Sequence, residues 1–265
     1  MVSWSTLAGH RGGRFRRTML WQRGELATLL RWLERLPRDA TRPRPRLSLD
    51  LAWASLLSGQ VDAVAPLLQD AEHALDTLDT AEPPTERGPH ASGVALRGEI
   101  TAIRAELARR RGESAAAIDL ARHALADLPA DKRRVRGGTT VFLAGAYLLR
   151  GDAAAASGAY AEAVALCQTP DTITVALFAS GQLVQVQALQ GQLHQAAETY
   201  RRTLDLAASY GMAEAPAIGV AQVGLAEAWR AWNDLDGADD LVRGASPTVR
   251  TRTGWRKGRW MALSR

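Results

Sequence analysis

Cysteine and lysine are nearly missing from this chain. Cys167 is the one cysteine, which excludes an intramolecular disulfide framework and points to a reducing compartment. The two lysines, Lys132 and Lys257, stand in no glycine-rich strand-to-helix context, and no G-x-x-x-x-G-K-[ST] segment exists, so no ATP site is visible. A dinucleotide fingerprint and a G-x-S-x-G nucleophile elbow are missing too. His10, His73, His90, His123 and His194 form no pair at i, i+3 or i, i+4, which removes the spacing a zinc motif needs. No apolar run approaches the roughly 18 to 20 residues of a membrane span. The N-terminus carries no apolar stretch of about 7 to 15 residues before a small-residue cleavage site. These absences point away from an enzyme, from cofactors and metals, and from a membrane, and they make the cytoplasm the expected compartment.

What charge there is lies unevenly. The whole chain carries 33 basic and 28 acidic residues, a net +5. Residues 1 to 46 hold 11 Arg against 3 acids, and residues 244 to 265 hold 6 basic residues and no acid. The body between them has 16 basic against 25 acidic residues, a net −9. "GHRGGRFRRT" and "GASPTVRTRTGWRKGRWMALSR" also lack an apolar stripe at helical spacing, so 1–20 and 244–265 read as basic, disordered arms. A misframed or truncated gene product would show the same abrupt loss of pattern. Aromatics between the arginines would suit single-stranded nucleic acid; such binding falls steeply with salt and disappears when both arms are deleted.

Between the arms the sequence repeats. Short polar turns recur at Gly24, Gly59, Gly112, Gly151, Gly191 and Asn233, the last four standing 39, 40 and 42 residues apart. Seven residues before the turn sit Ala52, Ala105, Ala144, Val184 and Ala226; five after it sit Ala117, Ala156, Ala196 and Ala238. Small residues in register let successive helices pack closely, and glycine or asparagine at the turn suits a left-handed residue ending a helix. Each unit reads helix A, tight turn, helix B. Such a pair cannot bury its apolar face alone, so stacking is obligatory. The expected fold is all-α, a right-handed superhelix of antiparallel helix pairs of the tetratricopeptide type, over residues 21 to 243. The step from Gly59 to Gly112 is 53 residues, and its surplus lies in a Pro- and Gly-rich loop at 80 to 93. A second break, "LPADKRRVRGG" (128 to 138), turns the chain between units. Before Gly59, Pro37 ends one helix, and Pro43 and Pro45 are expected to hold a spacer extended.

In a tetratricopeptide superhelix the A helices build a concave wall, lined by the residues thirteen, ten, six and three before each turn. Here that register gives Arg46, Leu49, Trp53 and Leu56; Glu99, Ala102, Glu106 and Arg109; Gly138, Val141, Gly145 and Leu148. The later units add Phe178, Gly181, Gln185 and Ala188, then Val220, Val223, Glu227 and Arg230. The candidate binding residues are Trp53, Glu106, Arg109, Gln185, Glu227 and Arg230: an aromatic plane with amides and carboxylates suits a sugar or another polar small molecule, and charged pairs suit a peptide. The bland alternative is that Glu106 with Arg109, and Glu227 with Arg230, are solvated i, i+3 pairs. His123 and His194 read as helix-surface residues, and Cys167 as a buried inert thiol.

The wording of the repeats carries a resemblance. "RGEL…LLRWLERLP", the Arg/Pro spacer and "RLSLDLAWASLLSGQVDAVAPLLQDAEHAL" resemble the helical-repeat segment of large MalT-type regulators of the LuxR family, as do "GEITAIRAELARRRGESAAAIDLARHAL" and "GLAEAWRAWNDLDGADDLVR". The resemblance implies a bacterial three-part protein: an N-terminal ATPase switch, a middle superhelix that senses an inducer or a partner protein, and a C-terminal helix-turn-helix that binds DNA. This chain matches the middle part alone, so DNA contact is expected only through a helix-turn-helix missing from it. The expected role is therefore a sensor or interaction superhelix, binding a small-molecule inducer or a protein or peptide partner in its groove. A generic tetratricopeptide adaptor for partner proteins is the alternative. Incomplete end repeats leave helix faces uncapped, so self-association is expected; light scattering at moderate salt checks it, and a clean monomer counts against it.

Overall fold

The computed structural model describes residues 41–81 and 93–211. The two basic arms, the turns at Gly24 and Asn233, Pro37, and the groove candidates Glu227 and Arg230 lie outside the described residues, as does most of the loop drawn at 80–93. The chain divides into two compact units, Met1–Asp152 and Ala153–Arg265. In the first unit α1 (Pro45–Leu57) is followed by a 3-10 turn (Val61–Ala63), α2 (Val64–Ala81), α3 (Gly93–Arg110), α4 (Ser114–Asp127) and α5 (Arg133–Leu149). In the second, α6 (Ala153–Leu166), α7 (Ile173–Leu189) and α8 (Leu193–Ser209) follow one another. Every regular element among the described residues is helical.

One turn is used four times. Gly59, Gly112, Gly151 and Gly191 have φ of 83°, 81°, 81° and 75°, a conformation that costs a residue with a Cβ about 1–2 kcal/mol. At each, the residue after the glycine donates its N–H to the carbonyl five positions back: Gln60 to Ser55 (2.8 Å), Glu113 to Ala108 (3.0 Å), Asp152 to Tyr147 (2.9 Å) and Gln192 to Gln187 (2.8 Å). At the first three the glycine N–H also reaches the carbonyl three positions back. This is the Schellman closure, which satisfies the carbonyls a helix end leaves over. A fifth left-handed glycine, Gly211 at φ 71°, ends α8 outside that register.

The columns of small residues do what their spacing implies. Ala52, Ala105, Ala144 and Val184 before the turns, and Ala117 and Ala156 after them, are all buried. Around the first of them one core joins Leu49, Leu56, Val64, Leu68, Leu75, Ile100, Ile103, Leu107 and Leu128. Gly98 marks another close approach: a Cβ there would lie 3.2 Å from Asp127 Cβ and 3.3 Å from Leu128 Cγ, at the end of α4. On the outer side α2 and α3 run antiparallel, with Arg97 on Asp76 and Asp79 and Arg104 on Glu72.

Two local expectations need correcting. The break read at 128–138 is a turn only at its start, because α5 is helical from Arg133. Arg136 supplies the reason: its Nη1 donates to the carbonyls of Leu125 (2.7 Å) and Leu128 (2.6 Å), capping the end of α4 from inside the next helix. The spacer before α1 is a tight turn rather than an extended segment, closed by Arg44 N–H on Thr41 O at 2.9 Å. Pro45 belongs to the helix, at its first turn, where a missing N–H costs nothing. Its ring holds Arg44 at φ −122° and ψ 90°, which keeps the helix from starting earlier.

The second unit is closed by side-chain hydroxyls. Thr172 Oγ1 accepts from Thr169 N–H at the start of α7, and Ser180 and Thr203 share a buried 2.9 Å hydrogen bond between α7 and α8. Tyr210 donates its hydroxyl to Gln168 O at 2.8 Å. Cys167 is fully buried at the end of α6, as its apolar context implies.

Substituting alanine at two glycines should separate turn from helix. Gly112→Ala is expected to lose about 1–2 kcal/mol, from the left-handed backbone alone. Gly158→Ala, inside α6 with nothing near its Cβ position, is expected to gain up to about 1 kcal/mol. Urea unfolding of both variants checks the opposite signs.

Candidate functional site

The A helices of the first unit, α1, α3 and α5, pack in that order, α3 against each of the others. The face they share carries two ionic clusters and an aromatic pair, each set by a helical step of three, four or seven residues. In the first cluster Arg46 on α1 donates to Asp50 Oδ1 (3.0 and 2.8 Å) and crosses to Glu99 Oε1 on α3 at 2.6 Å. Glu99 is 1 % exposed and Asp50 is buried, whereas Arg46 is half-exposed. Burial pulls the Arg46 pKa down, but the charges of Asp50 and Glu99 and the hydrogen bonds they accept more than offset this and hold it above its ordinary value.

In the second cluster Glu106 is the hub. Its Oε2 accepts from Arg109 Nε (2.6 Å) and its Oε1 from Arg109 Nη2 and Arg110 Nε (2.8 Å each). Glu106 is buried while both arginines are about one-third exposed. Buried carboxylates thus fix guanidinium groups whose outer edges meet solvent. The Arg109 stem lies over Gly145 of α5, where a Cβ would stand 2.9 Å from Arg109 Cδ; a larger residue would displace the arginine.

Between the clusters Trp53 of α1 stacks on Phe142 of α5, ring centroids 5.9 Å apart and planes inclined 23°. These helices are not neighbours. Two packing steps of about 8–10 Å each separate their axes in a flat layer, so the contact requires the layer to bend toward this face. Trp53 Nε1 and Glu99 Oε2 are buried here with no hydrogen-bond partner among the described residues. Such a group costs about 1–3 kcal/mol, more for a charged one.

The six candidates therefore fare differently. Glu106 and Arg109 are in direct contact, and Trp53 lies on the same wall but is 9 % exposed, largely committed to the core. Gln185 is exposed on α7 in the second unit, on one helix with Phe178, which is also exposed. Glu227 and Arg230 lie outside the described residues. The register also held Arg46 and Glu99, which the structure joins. Asp50, Arg110 and Phe142 were not singled out; Asp50 stands four residues from Arg46, a readable helical pairing, whereas nothing in the sequence couples Trp53 to Phe142. A cleft of about 280 Å³ on the other side of α3 is lined by Leu68, Leu107, Ala108 and Leu120, with Arg104 and Arg111. Among the described residues no His, Cys, Asp or Glu group is arranged to hold a metal, and no helix is long and apolar enough to cross a membrane.

Comparison with known proteins agrees with the helical-repeat fold. The family model described as "MalT-like TPR region" matches residues 98–256. Among solved structures, the nearly identical TPR-like repeats of a Podosopora anserina kinesin light chain superpose with a TM-score of 0.51 at 21% identity, covering 80% of this chain and 97% of that one. BtubC (BKLC) from P. vanneervenii superposes with a TM-score of 0.57 at 16% identity, covering 89% and 92%. At those identities the likeness is one of fold. No curated protein matches in sequence.

The hub carboxylate and an outer one should respond differently to removal. Glu106→Ala is expected to destabilise by about 1–3 kcal/mol, since it strips two arginines of charge-assisted bonds in a buried setting. Glu72→Ala, which breaks an exposed pair with Arg104, is expected to stay within about 0.5–1 kcal/mol. Thermal denaturation of the two variants side by side measures the contrast.

Proposed function

Because the chain belongs to the MalT-like TPR family, we propose that it is the sensor segment of a MalT-type regulator of the LuxR family and binds an inducer or a partner protein on its A-helix wall. The observation that carries this reading is the wall itself: arginines held by buried carboxylates on both sides of an aromatic stack, with an indole N–H and a carboxylate oxygen left without partners. Arginine, aromatic plane and buried acceptor together suit a ligand that is polar at its edges and flat or extended in its middle.

The mechanism is a shift of equilibrium. A ligand spanning α1, α3 and α5 favours the bend in which Trp53 reaches Phe142, and it acts on an attached switch only to the extent that it binds the two bends with different affinity. Neither the switch nor the DNA-binding module is part of this chain's described residues, so the output belongs to the longer regulator.

Calorimetry and thermal shift against oligosaccharides, small metabolites and peptides test the reading. A ligand at a hundred times its Kd stabilises the fold by about 2.7 kcal/mol, which raises Tm by about 5–10 °C in a domain of this size, and Arg109→Ala should weaken it. A well-folded sample that stays flat against all three classes overturns the proposal.

A further inference from the structure

The cleft on the other side of α3 is built unlike the wall. Its floor is apolar: Leu68 of α2 and Leu107 and Ala108 of α3 are buried, and Leu120 of α4 is half-buried beside them. At its mouth the exposed Ala65 and Ala116 contribute only methyl groups, so the floor is reached from solvent. The space of about 280 Å³ lies just below the range of about 300–1,000 Å³ usual for small-molecule pockets, so a single small molecule fills it.

Three charged side chains border this space, with the amide of Gln69. Arg104 is already held by Glu72 at 2.7 Å. Arg111 and Glu113 stand on either side of the left-handed Gly112, and both are exposed. Among the described residues neither of these two side chains has a hydrogen-bond or ion-pair partner, not even the other. An apolar floor is thus bordered at one end by a cation and an anion that do not neutralise each other. Its chemical complement is apolar at one end and carries both signs of charge at the other.

We propose that the cleft binds a free aliphatic α-amino acid, its side chain on Leu68, Leu107 and Leu120, its carboxylate on Arg111 and its ammonium group on Glu113. A simple carboxylic acid would set an anion against Glu113, and a simple amine a cation against Arg111. The cleft draws on α2 of one helix pair and on α3 and α4 of the next, so an occupant ties two consecutive repeats together. Arg111 projects about half a helical turn away from Arg109, and the site stands whatever the wall binds.

The test uses the full chain, isotope-labelled, with L-leucine as the probe. Isocaproate keeps the side chain and carboxylate without the ammonium group, isoamylamine keeps the side chain and amine without the carboxylate, and glycine keeps the head group alone. Leucine is expected to shift amide resonances of α2, α3 and α4 saturably, to raise Tm, and to bind at least tenfold more tightly than any of the three. Arg111→Gln and Glu113→Gln remove groups that hold nothing in the fold, and each is expected to cost about tenfold in leucine affinity with the Tm of the free protein unchanged. Ala116→Leu fills the mouth with a good helix former and should abolish the shifts. Isocaproate or isoamylamine binding as tightly as leucine, or leucine binding that survives either charge variant, overturns the proposal. So does a folded chain whose α2, α3 and α4 resonances do not move with leucine; shifts confined to α1 and α5 would assign leucine to the wall instead and overturn the cleft.

Discussion

The left-handed glycine at the end of each A helix is the constraint from which the rest of the structure is built. Because the turn closes with the same hydrogen bond each time, it ends each A helix at the same point of the repeat and fixes the register of its faces. Phase is what buries Ala52, Ala105 and Ala144 at the same place on successive A helices of the first unit. The same phase puts Arg46 within reach of Glu99 across more than fifty residues of sequence. A wall of functional side chains is thus a by-product of a backbone device that has no chemistry of its own.

The two faces of the helix layer use arginine in different ways. On the outer face Arg97 and Arg104 meet acids that are 30–65 % exposed, and such pairs hold geometry weakly because water competes for both partners. On the wall the acids are buried and the arginines only one-third to two-fifths exposed, so the carboxylate cannot exchange its partner for water and the guanidinium is pre-positioned. Pre-positioned groups bind without the loss of side-chain freedom that mobile ones suffer. The same residue type is therefore a staple on one side and a presented ligand group on the other.

Much of this was legible in the sequence because it repeats. Turn positions, the small-residue columns and the wall register follow from a spacing near forty residues, and the helices found at Gly112, Gly151 and Gly191 fall where that spacing puts them. The exceptions are places where one side chain overrides the pattern. "LPADKRRVRGG" looks like a loop because of its glycines and charges, yet Arg136 turns toward the α4 carbonyls and lets the helix begin at Arg133. "TRPRP" looks extended, yet Pro45 is well suited to a first helical turn and leaves only a tight bend before it. At the site, Arg46, Glu99, Glu106 and Arg109 could be aligned from the register. Trp53 on Phe142 could not, since it joins helices that are neither consecutive nor adjacent, and its burial follows from that contact.

That stack also bears on how the first unit comes apart. Helical repeats ordinarily touch only the next repeat, so stability is a sum of local terms and the array frays from its ends. Trp53 and Phe142 tie the first pair to the third, and Arg136 ties the second to the third from the other side. Removing the first pair therefore exposes apolar surface on α5 as well as on α3. The three described A helices of this unit are coupled beyond their nearest neighbours, and that coupling favours their unfolding together rather than helix by helix.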